Sequence, residues 1–394
     1  MKRKKLDLLA LASIPLVMTL GNSMLIPVLP ILQSKISITQ LQSSLIITIY
    51  SVVAIVFIPI AGYLSDRFGR KVVIIPSLII VAIGGAISAF ASWKLNDPYY
   101  LIMIGRFIQG VGAAGAFPVV IPTVGDMYRD EDDASQALGI IETSNTFGKV
   151  LSPIIGSLLA QFLWYLPFIF VPIFSITALL LIIFLVKVPK RTAVDHQAFK
   201  AFKKKISKTF RKDGKWIIAV FIIGVLNMFV LFGYQFNFSN LLENEYNIKG
   251  VYGGLILAIP LLILCISSFL SGKIIGDNKV LMKRIIFSGN LLVSIPFLFI
   301  FKGIGLVLMT IFLSISSIGI GLSLPCLDTL ITKGVKKNIR GSITSIYSSM
   351  RFLGVATGPP IVAVIESNFK LLYFVLAGLS ALAALVGALA IKPN

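Results

Sequence analysis

Apolar residues fall in twelve long runs, near 8–31, 41–64, 72–93, 99–125, 135–160, 164–187, 216–237, 251–272, 285–301, 304–331, 342–365 and 371–391. Most exceed about 18 residues and are rich in Leu, Ile, Val and Phe, long enough to carry a helix across a bilayer core. None alternates polar with apolar at period two, as the strands of a membrane barrel do. The pattern predicts an all-α membrane protein of twelve transmembrane helices. The first run follows the basic Met1–Lys5 and continues through Pro27 and Pro30 without a clear small-residue cleavage site. It reads as a retained first helix and not as a signal peptide.

Composition agrees. Of 394 residues, 57% are hydrophobic and 13% charged, with a mean hydropathy of +0.94, outside the range of soluble globular chains. The formal net charge of +20 must then sit in connections. Only Lys35, Lys94, Lys249, Lys302 and Lys370 lie on one set of alternate connections, and most other Lys and Arg lie on the opposite set and the ends. Basic connections are retained in the cytoplasm, so both termini are expected there, in a multi-pass protein of the cell membrane. Eleven Lys and Arg lie between Lys187 and Lys215. This divides the chain into an N-terminal six-helix bundle over 1–187, a cytoplasmic basic linker over 188–215 and a C-terminal six-helix bundle over 216–394. A linker held near anionic headgroups explains that run better than nucleic acid does. Cys265 and Cys326 lie inside apolar runs and His196 is the one histidine, so no Cys or His metal site and no cofactor is expected, and a proton carrier should be a carboxylate.

The halves echo each other. Gly148–Gly156 reads GKVLSPIIG and Gly354–Val362 reads GVATGPPIV, each with a Gly five residues before a Pro, late in the fifth helix of its half. Proline frees a carbonyl and glycine admits a neighbour, which suits a kinked or closely packed helix.

Ionisable groups at bilayer depth are costly and mark function by default. Arg106, Glu142, Lys149 and Arg351 are such groups. Glu142, Asn145 and Lys149 share one face of the fifth helix, and Thr344, Tyr347, Ser348 and Arg351 form a similar stripe on the eleventh. The two stripes are expected to face one hydrated cavity. Glu142 can take up and release a proton as access alternates, or can neutralise Lys149 or Arg351 in a structural pair. Asn22, Asn227, Tyr234 and Gln235 can hydrogen-bond substrate or glue helices together.

Between the second and third helices, Gly62–Lys71 reads GYLSDRFGRK. It resembles the loop signature G-x-x-x-D-R-x-G-R-K of the major facilitator superfamily. Leu101–Ala114 resembles that family's helix 4 pattern, and Gly148–Ser157 resembles the antiporter pattern G-x-x-x-G-P-x-x-G-G, with Ser152 and Ser157 standing at two of its glycines. The resemblance spans the chain and is greatest to drug:proton antiporters of twelve helices. It implies that Gly62, Asp66, Arg67, Gly69 and Arg70 form a conformational latch, with Arg70 near Asp126 and Asp66 near the start of the eleventh helix at Gly341 and Ser342. It also implies that Arg106 belongs to a proton-transfer or gating element, and that Gly148, Pro153 and Gly156 form the antiporter motif. The second half's loop, Ser271–Lys279, lacks the Asp-Arg pair.

The expected activity is secondary active transport: proton-coupled efflux of a small amphipathic compound by a monomer that alternates access between two bundles. An anionic metabolite such as a siderophore, or a lipid-like solute, is the alternative substrate, because Lys149 and Arg351 outnumber Glu142. Gly110, Gly112 and Gly115 lack a P-loop's Gly-Lys-Ser/Thr ending. No spacing in the helices suits an intramembrane enzyme.

Overall fold

The computed structural model describes residues 2–127, 131–186, 199–276, 278–335 and 340–391, and every long element among them is an α-helix. The first apolar run makes one crossing in two pieces. α1 (Lys2–Ser23) stops, a 3-10 turn covers Ile26–Val28, and α2 (Leu29–Lys35) resumes the crossing. Pro27 and Pro30 each lack the N–H that would continue the ladder, and each sits in the first turn of a new element, where that N–H is not needed.

Eleven further helices follow: α3 (Gln40–Phe68), α4 (Arg70–Lys94), α5 (Tyr99–Met127), α6 (Glu131–Phe162), α7 (Leu166–Leu185), α8 (Phe199–Asn244), α9 (Gly250–Ile275), α10 (Lys279–Phe297), α11 (Leu306–Gly334), α12 (Arg340–Ile365) and α13 (Phe369–Ala390). With α1 and α2 as one crossing, these make twelve. All but α6 are apolar enough to qualify as spans on composition alone. α6 falls short because Glu142, Asn145, Thr146, Lys149 and Ser152 share it.

Local signals set the ends. Thr39 and Gln42 form a capping box at the start of α3, while Asn278 and Asn368 accept the orphan N–H groups of Leu281 and Leu371 at α10 and α13. The basic segment taken as a linker is helical from Phe199, continuous with α8, while residues 187–198 lie outside the described ones. Lys and Arg are good helix formers, and nothing between 199 and 213 breaks the ladder.

The described chain forms two compact units. One comprises Met1–Arg191 with Gln235–Ala258, the other Thr192–Tyr234 with Ile259–Asn394. In the first, α4 packs against α5 and α7, α3 against α5, and α1 against α6 and α7. In the second, α10 packs against α11 and α13 just as α4 does against α5 and α7.

The Gly/Pro segments mark equivalent close contacts in the two units. On α6, a Cβ built at Gly156 would stand 2.1 Å from the Met24 carbonyl oxygen, and one at Gly148 would stand 3.2 Å from that of Leu16. On α12, Gly354 would meet the Val225 carbonyl oxygen of α8 at 2.2 Å, and Gly358 that of Phe229 at 2.7 Å. Lipid supplies no hydrophobic force between helices, so such backbone approaches are what hold them together. The large apolar side chains left outside, among them Phe184, Ile274 and Leu389, then face hydrocarbon.

Candidate transport site

In the first unit, α6 turns its polar stripe toward α1. The Thr19 hydroxyl donates to Asn145 Oδ1 at 2.6 Å, and Asn145 Nδ2 donates to Glu142 Oε1 at 3.2 Å. The chain of bonds has a direction. An ionised carboxylate only accepts, so the amide nitrogen must face Glu142 and the amide oxygen must face Thr19. Asn145 and Lys149 are buried, while Glu142 is half-buried. Thr19 was not singled out from the sequence, although it lies three residues before Asn22 and so shares its helix face.

A second cluster surrounds Arg106, which is fully buried. Its guanidinium donates to the carbonyl oxygens of Gly21 (3.1 Å) and Ile46 (3.0 Å), to Gln109 Oε1 (2.6 Å) and to Asn22 Oδ1. It also stands 4.6 Å from the centre of the Tyr50 ring. Among the described residues its partners are all neutral, so the fork ties α1, α3 and α5 together. Asn22 is thereby committed to Arg106.

In the second unit, Arg351 Nη1 lies 3.3 Å from Asp328 Oδ1 of α11. Asp328 was not singled out from the sequence. Asp328 stands near the end of an apolar run, where a charge passes for a boundary residue. Tyr347 lies beside Arg351 and stacks on Phe221. Asn227 and Asn290 both donate to Ser323, and Tyr234 bonds with Ser317, so these buried polar groups join α8, α10 and α11.

The loop signature occupies the junction of α3 and α4. Gly69 has φ +104°, a conformation open to glycine, and it ends one helix and starts the next. Arg70 donates to Asp126 Oδ2 at 3.0 Å and to Ser65 Oγ at 2.7 Å, whereas Arg67 is exposed beside Phe68. Gly62 lies in the penultimate turn of α3. The Asp66 side chain, Gly341, Ser342 and Asp277 lie outside the described residues or side chains.

Lys71 adds a contact that the signature did not suggest. It donates to the carbonyl oxygens of Ile183 (3.0 Å) and Val186 (2.8 Å), capping the end of α7. Lys71→Met is expected to lower stability by about 1 kcal/mol, because two charge-assisted bonds are lost at a partly wet site. Thermal unfolding in detergent would register this as a fall of a few degrees, and an unchanged midpoint would deny the cap any energetic role.

A family model described as the Major Facilitator Superfamily matches residues 11–359. The chain belongs to the Major Facilitator Superfamily. It is 50% identical over 380 residues, 96% of this chain and 94% of the relative, to a protein of Bacillus subtilis (strain 168) named bacillibactin exporter. It is 24% identical, over 91% of this chain and 89% of the relative, to multidrug resistance protein 1 of the same organism. Among solved structures, a human organic anion transporter superposes with a TM-score of 0.77 at 19% identity, covering 98% of this chain and 99% of that one. A D-xylose-proton symporter also gives 0.77, at 15% identity, over 98% and 97%. These structures share the fold. The protein is a multi-span membrane transporter, and its family and relatives are those of transporters of small molecules.

Proposed function

We propose that the chain exports an anionic metabolite of the siderophore class, with bacillibactin as the first substrate to test, in exchange for protons entering the cell. The observation that carries this reading is the 50% identity to a bacillibactin exporter over 96% of the chain. Efflux of amphipathic drugs, the first expectation from the sequence, is supported by a relative only 24% identical. In this reading both termini and the basic linker are cytoplasmic.

Inverted membrane vesicles with an imposed pH gradient provide the test. Saturable bacillibactin accumulation, insensitive to a cationic dye such as ethidium, is the expected result; ethidium transport without bacillibactin transport would replace this function with drug efflux. Glu142 is the proposed proton carrier; Asn145 holds its carboxylate, and Thr19 holds Asn145. Glu142→Gln is expected to abolish accumulation driven by the pH gradient, a loss of at least about tenfold, while the protein remains in the membrane. Normal gradient-driven flux in that variant would remove Glu142 from the coupling step.

A further inference from the structure

The ion pair between α11 and α12 has features that a purely structural bridge does not need. Guanidinium–carboxylate contacts usually close to about 2.7–2.9 Å, yet Arg351 Nη1 and Asp328 Oδ1 stand 3.3 Å apart. Both side chains keep an open side, 16% and 28% exposed respectively. Asp328 lies within the span Leu306–Thr332 and Arg351 within Ile343–Ile365. Charges do not turn an open side to hydrocarbon, so this one faces water.

The guanidinium is nevertheless well placed. Its carbon lies 5.8 Å from the centre of the Tyr347 ring, which is itself stacked on Phe221 at 6.1 Å. Gly224 leaves the room that this shelf requires, since a Cβ there would come within 2.8 Å of Tyr347 Cε2. On the same face of α12, the Thr344 hydroxyl has no hydrogen-bond partner among the described residues.

We propose that Arg351 is a seat for the substrate's anionic group, and that Asp328 competes with the substrate for that seat. A planar oxyanion, carboxylate or phenolate, displaces the Asp328 carboxylate and takes over the guanidinium. The inference rests on export of an anion as proposed above. It adds a selection rule, because a cation or a neutral compound has nothing with which to replace Asp328. It also makes Asp328 a release device, since the returning carboxylate competes with the bound substrate.

Titration calorimetry of bacillibactin into the purified full-length protein tests this. Asp328→Asn is expected to bind about tenfold more tightly, Arg351→Gln at least about tenfold more weakly, and the double variant like Arg351→Gln. Equal or weaker binding by a monodisperse Asp328→Asn protein, or unchanged binding by Arg351→Gln, would overturn the proposal. If Asp328→Asn does not fold, Arg351→Lys decides instead: it keeps the charge but loses the planar fork, so binding should weaken about tenfold at a normal unfolding temperature, and wild-type affinity would count against the seat.

Absence of bacillibactin binding to the wild type would sink the export reading alone. The pair is then judged with benzoate against benzamide. Benzoate-specific thermal stabilisation, larger in Asp328→Asn and lost in Arg351→Gln, supports the seat; equal responses to the two compounds in all three proteins refute it.

Discussion

Arg106→Leu is expected to lower the unfolding temperature by roughly ten degrees or to prevent recovery of folded protein, the largest effect of any side-chain truncation in the first unit. The guanidinium is 0% exposed and its bonds reach three helices: Gly21 and Asn22 of α1, Ile46 of α3, and Gln109 of its own α5. Leucine fills part of the volume but leaves the Gly21 carbonyl and the amide oxygens of Asn22 and Gln109 short of this donor in a dry interior. Each unmet group costs about 1–3 kcal/mol. Arg106→Lys should fall between, because one ammonium cannot span acceptors on α1, α3 and α5 at once. Thermal unfolding of the three proteins in one detergent checks the order. A leucine variant as stable as the wild type would mean that the helices do not depend on this clamp.

Gly354→Leu should have an effect of similar size by the opposite route, excess volume where backbones touch. The Cβ alone would lie 2.2 Å from the Val225 carbonyl oxygen and 2.8 Å from Met228 Cβ. The first obstacle is backbone, which cannot rotate away, so α12 must separate from α8 and lose the contact at Gly358 as well. Overpacking of this kind typically costs about 1–3 kcal/mol where side chains can yield, and more where they cannot. Gly378→Ala in α13 is the control. Nothing lies within 4 Å of a Cβ there, and alanine in an open helical position should raise stability by about 0.5–1 kcal/mol. Yield of membrane-inserted protein and unfolding temperature should therefore move in opposite directions for the two variants. Equal behaviour would mean that the α8–α12 contact is looser than described.

Much of the architecture was legible in the order of residues. Eleven of the twelve crossings stand out by apolar length, and α6 was legible as the apolar run 135–160, with its polar residues recurring on one face. The GKVLSPIIG and GVATGPPIV segments marked two helices that approach a neighbour closely, and the glycines do meet carbonyl oxygens. The break between α1 and α2 falls at Pro27 and Pro30; hydropathy averages over a proline while a hydrogen-bond ladder does not.

The candidate site was less legible. Arg351, Tyr347 and Thr344 were placed on one stripe, but Asp328 lies on another helix, 23 residues earlier in the chain. Thr19 in turn is 126 residues from Asn145. No local pattern encodes either pairing.

What the sequence by itself determined is the set of helices and the polar face of each, because a bilayer leaves a spanning chain no other way to satisfy its backbone and helical geometry then sorts the residues. Only the tertiary structure decided which charge meets which partner. It joined Arg106 to neutral acceptors on α1 and α3, Arg351 to Asp328, and Asn145 to both Thr19 and Glu142. The reason is physical: periodicity fixes the direction in which a side chain leaves its own helix, whereas the identity of the helix it meets depends on packing between segments far apart in the chain.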